Sequence, residues 1–212
     1  MKFSLSIAFL VVFGFLLLNP ILAQKQITID DIWTNNVYRT KTVPGFRFMN
    51  DGRHYTSLKQ NYLLKYDLTT GKLTDTLVDF NRLPFPDDRR QVEDYTFSDD
   101  ETQLMVSTNS EHIYRHSTKE WNYIYPFSTN KINSLDDDGK QMHATFSPDG
   151  HKVGFVVDNN LYYKELTNGK TTKVTTDGKI NSIINGSCDW VYEEEFSFTQ
   201  AFEFSPDSRY IA

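Results

Sequence analysis

The sequence predicts an all-β fold: a partial β-propeller of about three and a half four-stranded blades, truncated before ring closure and preceded by an N-terminal signal peptide. Three observations carry this prediction. An aromatic–turn motif returns at a constant period; short runs rich in Tyr, Phe, Val, Ile and Thr lie between turn dipeptides; and an apolar leader ends near Ala23. Composition is compatible with it. The 212 residues include 16 Phe, 12 Tyr and 3 Trp, and the ten Gly and seven Pro are too few for a collagen-like or low-complexity chain. The 22 Lys+Arg against 28 Asp+Glu leave a net charge of −6, which excludes a basic nucleic-acid-coating protein. The single cysteine, Cys188, cannot close a disulfide within the chain.

The leader comes first. Lys2 precedes an uncharged run from Phe3 to Ala23, whose strongly apolar part, Ile7 to Leu18, has the length of a signal-peptide core. That part is short for a bilayer span of about 20 residues. Asn19 and Pro20 break the helix, and Ala23 followed by Gln24 offers a cleavage point. Residues 1–23 are therefore expected to be a signal peptide, and residues 24–212 the N-terminal part of the propeller domain. Export to the periplasm or the medium follows. Ile21 is larger than the small residue favoured three places before the cut, so a membrane tether through an uncleaved signal anchor is the alternative.

From Gln24 onward no amphipathic helix is evident, and the repeat takes over. Phe46-Arg47-Phe48 precedes Asn50-Asp51-Gly52, and Tyr95-Thr96-Phe97-Ser98 precedes Asp99-Asp100. Ala144-Thr145-Phe146-Ser147 precedes Pro148-Asp149-Gly150, and Phe202-Glu203-Phe204-Ser205 precedes Pro206-Asp207-Ser208. The anchors Phe48, Phe97, Phe146 and Phe204 lie 49, 49 and 58 residues apart. Downstream, the segments starting at Leu63, His112 and Leu161 also align at 49, giving each unit four strands. Four antiparallel strands per 40–50 residues is the pattern of a propeller blade, and such sheets must stack to cover their apolar faces. Ser208 to Ala212 aligns with Gly150 to Gly154, so the chain is expected to end within the second strand of a fourth blade.

The last interval exceeds the others by nine residues, 58 − 49, and insertions in repeat folds gather in loops on one face. This interval contains Asp189-Trp190-Val191-Tyr192-Glu193-Glu194-Glu195-Phe196. Runs of charge are usually solvated. Here bulky aromatics flank three carboxylates, which suggests a segment held against protein, where like charges need a counter-ion. Ammonium, guanidinium or metal would each serve. Other candidates are weaker. The five histidines lack metalloprotease spacing, no Gly-x-Ser-x-Gly elbow occurs, and Ser134 to Gly139, which hints at a calcium loop, has no acid at the first position and Thr145 where the bidentate Glu would stand, so it reads as a hairpin turn. Asn185-Gly186-Ser187 is a glycosylation sequon.

The seven residues Asp189 to Glu195 resemble the double-Glu motif of the dipeptidyl peptidase IV family, serine exopeptidases of the prolyl oligopeptidase superfamily. Tyr114-Arg115-His116-Ser117 is similar to the family segment that carries a substrate-binding arginine. The resemblance covers most of the chain from about Ile27 to Ala212. It implies that Glu194 and Glu195 hold the free N-terminal ammonium of a peptide and that Arg115 contacts a substrate backbone carbonyl. Glu193, Trp190 and Tyr192 would support them, since three consecutive side chains cannot all reach one ligand. It implies release of Xaa-Pro or Xaa-Ala dipeptides, a catalytic triad in a separate C-terminal α/β-hydrolase domain of the same chain, and no cofactor or metal. It also implies an intact protein able to form a homodimer. A non-catalytic exported TolB-like propeller would explain the repeats but not the acidic insertion.

Overall fold

The computed structural model describes residues 26–40 and 45–212. The expected signal peptide, residues 1–23, lies outside the described residues. Two compact units divide the chain, residues 1–43 and 44–212. In the first, Ile29–Trp33 forms one short helix, α1. Thr28 caps it: the Asp31 N–H donates to the Thr28 hydroxyl at 3.1 Å, and the Asp31 carboxylate accepts from the Thr28 N–H at 3.4 Å.

The second unit consists mainly of antiparallel four-stranded sheets. The first sheet is β1 (Arg47–Phe48), β2 (His54–Lys59), β3 (Tyr62–Asp67) and β4 (Leu73–Asp79). The second is β5 (Val92–Phe97), β6 (Gln103–His112), β7 (Thr118–Pro126) and β8 (Asn133–Ser134). The third is β9 (Met142–Phe146), β10 (Lys152–Val157), β11 (Asn160–Glu165) and β12 (Thr171–Lys173). Strand order follows chain order in all three, as in propeller blades. Beyond them, β13 (Gly186–Ser187) pairs with β14 (Gln200–Ala201), and Phe204 bridges Ile211.

Two-residue side-chain alternation explains the stacking. In β6, Leu104 and Val106 point one way and join Leu63, Val78 and Phe80 of the first sheet's region; Met105 points the other way and joins Phe146, Val153 and Phe155 of the third. In β7, Tyr123 and Tyr125 face the first sheet and Ile124 the third. The pattern repeats in β10. Val153 and Phe155 face back, while Val156 packs on Leu161 and Phe202. A side chain at Gly154 would meet the Phe202 ring at 2.8 Å, so only glycine permits that close approach.

The recurring Ser-x-Asp is a turn device. Ser98, Ser147 and Ser205 donate their hydroxyls to Asp100, Asp149 and Asp207 at 2.6, 2.6 and 2.7 Å. Each hydroxyl also accepts a backbone N–H, from Gln103 and Lys152 at the starts of β6 and β10 and from Tyr210 before the Ile211 bridge. The serine hydroxyl is the main influence holding Asp100 and Asp207 below the usual carboxylate range. At Asp149 burial acts upward but is outweighed by Ser147, the His151 N–H and Lys152. The turns also touch their neighbours in succession: Asn50 donates to Asp99 and Glu101, Gln103 to the Gly150 carbonyl, and Asp149 to Ser208.

One register departs from the expected 49. The hydrogen bonds Leu68 N–H to Arg53, Phe127 N–H to Thr102 and Leu166 N–H to His151 mark equivalent corners of the three sheets. Donor and acceptor lie 15, 25 and 15 positions apart, so the second hairpin is ten residues longer than its neighbours. The segment starting at His112 is therefore not a third strand; it is the end of β6, a tip and the start of β7. The connection to the next sheet is ten residues shorter, which conceals the insertion from any count between anchors. Ser134 ends β8, and residues 135–139 lie in that inter-sheet connection rather than in a hairpin, with Leu135 buried.

Because Leu104 is fully buried between two sheets, Leu104→Ala should destabilise the protein by about 2–5 kcal/mol. Urea denaturation of wild type and variant reads this directly. A loss below about 1 kcal/mol would contradict the packing described.

Candidate functional site

Two excursions from the repeat meet. The first is the β6–β7 hairpin. The first and third sheets turn between their middle strands in two residues, Gln60-Asn61 and Asp158-Asn159, all with φ between 48° and 63°. The second sheet instead extends through a bulge between Thr108 and Glu111 to a tip at Ile113–Ser117, closed by the Ile113 N–H donating to the Ser117 carbonyl at 2.9 Å. The cross-strand Lys119–Glu111 pair and a pair from Lys140, in the connection before β9, to Glu111 brace the extension at 3.1 and 3.5 Å. Arg115 stands at the tip with its side chain 70% exposed.

The second excursion is the nine-residue excess, which leaves β13, forms helix α2 (Trp190–Phe196) and returns to β14. Asp189 caps it by accepting the Tyr192 N–H at 3.0 Å, and Ser197 ends it at φ 59°. Seven residues do not make a stable helix alone, and acids in the last turn oppose the helix dipole. Tertiary partners supply what the local sequence lacks. Glu193 is 1% exposed, and one of its carboxylate oxygens accepts the backbone N–H groups of His116 and Ser117 at 2.5 and 3.1 Å. Glu194 pairs with Arg115, Oε2 to Nη1, at 3.2 Å.

Helical geometry sends the three acids about 100° apart. Glu193 points inward, Glu194 is partly covered, and Glu195 faces solvent. Among the described residues Glu195 has no hydrogen-bond or ion-pair partner. The flanking aromatics are not held against protein as their bulk suggests. Trp190, Tyr192, Phe196 and Phe198 are all more than half exposed, and it is the carboxylate of Glu193 that is buried. Tyr192 lies 5.7 Å from the Phe196 ring, and Phe198 stacks beyond it.

Burial alone would raise the Glu193 pKa. The Ser117 side chain and the two backbone N–H groups act more strongly in the other direction and hold it below the usual carboxylate range. The Ser117 hydroxyl itself lies in no hydrogen bond of good geometry, so the backbone groups are the firm partners. Magnitudes separate the two contacts. Hydrogen bonds to a buried charge contribute about 1.5–3 kcal/mol each, whereas an exposed ion pair such as Arg115–Glu194 contributes ~0–1 kcal/mol.

Beneath the hairpin tip is a polar cavity of about 210 Å³, lined by Ser117, Glu120, Asn122, His143 and Gln200 among others. Its lining does not include Arg115, Glu194 or Glu195. The Ser117 hydroxyl, Glu120 Oε2 and His143 Nε2 are buried there without hydrogen-bond partners among the described residues. Burial pushes the Glu120 carboxyl up, and burial pushes His143 down against the opposing pull of Glu193. Neither residue stands out in the sequence, where a lone histidine or glutamate on a strand carries no signal. Among the described residues no cluster of His, Cys, Asp or Glu could hold a metal ion. The sequon asparagine, Asn185, donates its side-chain amide to the Asn159 carbonyl and to Asp177.

The segment matched by the family model described as the dipeptidyl peptidase IV N-terminal region is residues 98–212, more than half of the chain. The chain belongs to the dipeptidyl peptidase IV family. Dipeptidyl peptidase 4 of Trichophyton rubrum is 33% identical over 165 residues, covering 76% of this chain and 20% of that protein. Dipeptidyl peptidase 4 of Felis catus is 27% identical over 192 residues, covering 90% of this chain and 24% of that protein. The crystal structure of Porphyromonas gingivalis dipeptidyl peptidase 4 superposes with a TM-score of 0.80 at 36% identity, over 88% of this chain and 27% of that one. The chain thus spans about a quarter of the length of these relatives and corresponds to the propeller region of the dipeptidyl peptidase IV family.

His143 gives a pH-dependent expectation. Its folded pKa lies below the ordinary 6.5, so as pH falls through about 6.5 the unfolded chain takes up a proton that the folded chain resists. Stability should therefore fall more steeply between about pH 7 and pH 5 in wild type than in His143→Asn, whose side chain suits the φ of 55° at this position. Denaturation midpoints across that range test it, and parallel curves would contradict it.

Proposed function

We propose that this chain is the substrate-selecting N-terminal propeller portion of an exported dipeptidyl peptidase IV-like serine peptidase that releases Xaa-Pro or Xaa-Ala dipeptides from peptide N-termini. The observation that carries the reading is the 3.2 Å contact between Arg115 and Glu194, which unites the hairpin tip and the acidic helix from segments 79 residues apart. Family membership supports it.

The chemistry is that of an anchor. An α-ammonium has three N–H donors and a pKa near ~8, so it is charged at neutral pH. Glu194 and Glu195, adjacent on α2, offer carboxylate acceptors to it. Arg115 has five donors and commits one terminal nitrogen to Glu194, leaving others free for a substrate carbonyl. An acylated or internal peptide segment brings no positive charge and leaves the carboxylates uncompensated. Fixing the N-terminus at a set distance from a nucleophile makes the enzyme count two residues. The nucleophile belongs, in this proposal, to a C-terminal α/β-hydrolase domain of the same chain, because residues 1–212 contain no Gly-x-Ser-x-Gly. Cleavage would then proceed by acyl transfer to serine, without cofactor or metal.

The partners proposed are peptides with free N-termini, not nucleic acid, and any homodimer of the intact protein would form through parts largely outside these residues. Export to the periplasm or the medium rests on residues 1–23, and an uncleaved leader would tether the protein to the membrane instead. Among the described residues no helix is long and apolar enough to cross a bilayer.

The test compares intact wild type with Glu194→Gln and Glu195→Gln on Xaa-Pro substrates with free and N-acetylated termini. Each substitution should lower kcat/KM on the free substrate by about 10- to 150-fold and leave the residual rate on the acetylated one unchanged. Equal cleavage of both substrates by wild type would overturn the ammonium anchor.

A further inference from the structure

The Arg115–Glu194 pair does not explain its own geometry. Arg115 is mostly exposed at the end of a long hairpin, and an ion pair of this kind is too weak to hold two long excursions in register. Among the described residues, the other hydrogen bonds between these excursions run to Glu193. Its carboxylate is buried and turned away from Glu194 and Glu195, yet it grips the two residues that follow Arg115 directly. Both bonds go to backbone N–H groups, so they fix the course of the chain at the tip rather than a side chain that could rotate. They also anchor the buried face of a helix too short to persist unaided.

We propose that Glu193 is the positioning residue of this site: by accepting the His116 and Ser117 N–H groups it locks the β6–β7 tip to α2 and sets the spacing between the Glu194–Glu195 carboxylates and Arg115. The inference deepens the proposed function and rests on it for its catalytic consequence. It adds that the distance from ammonium anchor to carbonyl donor, hence the recognition of a dipeptide, depends on a residue that touches no substrate. The structural part stands apart from activity.

The experiment uses the full-length protein with Glu193→Ala and Glu193→Gln. Hydrogen–deuterium exchange over residues 113–117 is the first readout. These amides should exchange at least about tenfold faster in Glu193→Ala, while Glu193→Gln, which keeps an acceptor oxygen, stays closer to wild type. Steady-state kinetics on a free Xaa-Pro substrate is the second. KM should rise by about tenfold or more in the alanine variant with kcat changed by less than about threefold, and the glutamine variant should recover much of the loss. Unchanged exchange at the tip in Glu193→Ala would overturn the proposal. So would faster exchange with unchanged KM. If the alanine variant fails to fold, the glutamine variant carries the same two readouts, and wild-type protection at both amides in Glu193→Gln combined with a kcat-only defect would overturn it. Failure of the ammonium anchor itself appears separately, as wild-type indifference to N-acetylation, and leaves the exchange result interpretable.

Discussion

The second and third sheets are apolar on both faces, and the rest of the structure depends on that constraint. A four-stranded sheet whose strands alternate Leu104, Met105 and Val106 has no solvent side, because both directions of the alternation are hydrophobic. It is stable only between two neighbours. The first and third sheets cover the second, and Phe202 with Val156 and Leu161 continues the stack beyond the third. The side chains facing across these layers are large and branched or aromatic, so the spacing and order of sheets follow from packing rather than from the loops.

With the sheets held by their cores, their connections are free to differ. The repeat keeps its turns: Ser-x-Asp pairs recur at the hairpins, and left-handed residues recur at Gly52, Glu101, Gly150 and Ser208. Only Gly adopts that conformation without cost, yet Glu101 and Ser208 occupy it in turns whose Asp and Ser hydrogen bonds compensate. Against this regular background two departures stand out, a lengthened β6–β7 hairpin and the α2 excursion. Their tips come together although they arise from different sheets. In a stacked repeat, neighbouring units present equivalent loops side by side, so an insertion in one and another in the segment after the next can reach each other.

Electrostatics then decides what the meeting point can do. Three consecutive carboxylates repel one another, and the structure separates them by giving each a different environment. Glu193 is buried and kept ionised by backbone donors, Glu194 is partly covered and paired with Arg115, and Glu195 is solvated. The result is a negative surface point with one guanidinium beside it, flanked by exposed Trp190, Tyr192 and Phe196. Such an arrangement favours a compact cation with hydrogen-bond donors over a neutral or anionic group.

Much of this was legible in the residues. The recurrence of Phe48, Phe97, Phe146 and Phe204 before turn dipeptides specified the blades, because strand alternation and turn chemistry are local properties written at fixed spacing. The acidic segment was visible as an excess over the period, whereas Arg115 stood out only through the resemblance of Tyr114-Arg115-His116-Ser117 to a family segment. The hairpin insertion was hidden, since ten added residues before Phe127 are offset by ten fewer after it and the sum between anchors is unchanged. The helices were hidden too, as five- and seven-residue segments hold their shape through caps and distant partners rather than through periodicity. Local sequence sufficed for the sheets, their number and the Ser-x-Asp turns. Only the tertiary structure decided that Glu193 lies inside, that the aromatics around it lie outside, and that Arg115 faces Glu194. Those outcomes depend on contacts across about 80 residues of chain, which no local pattern encodes.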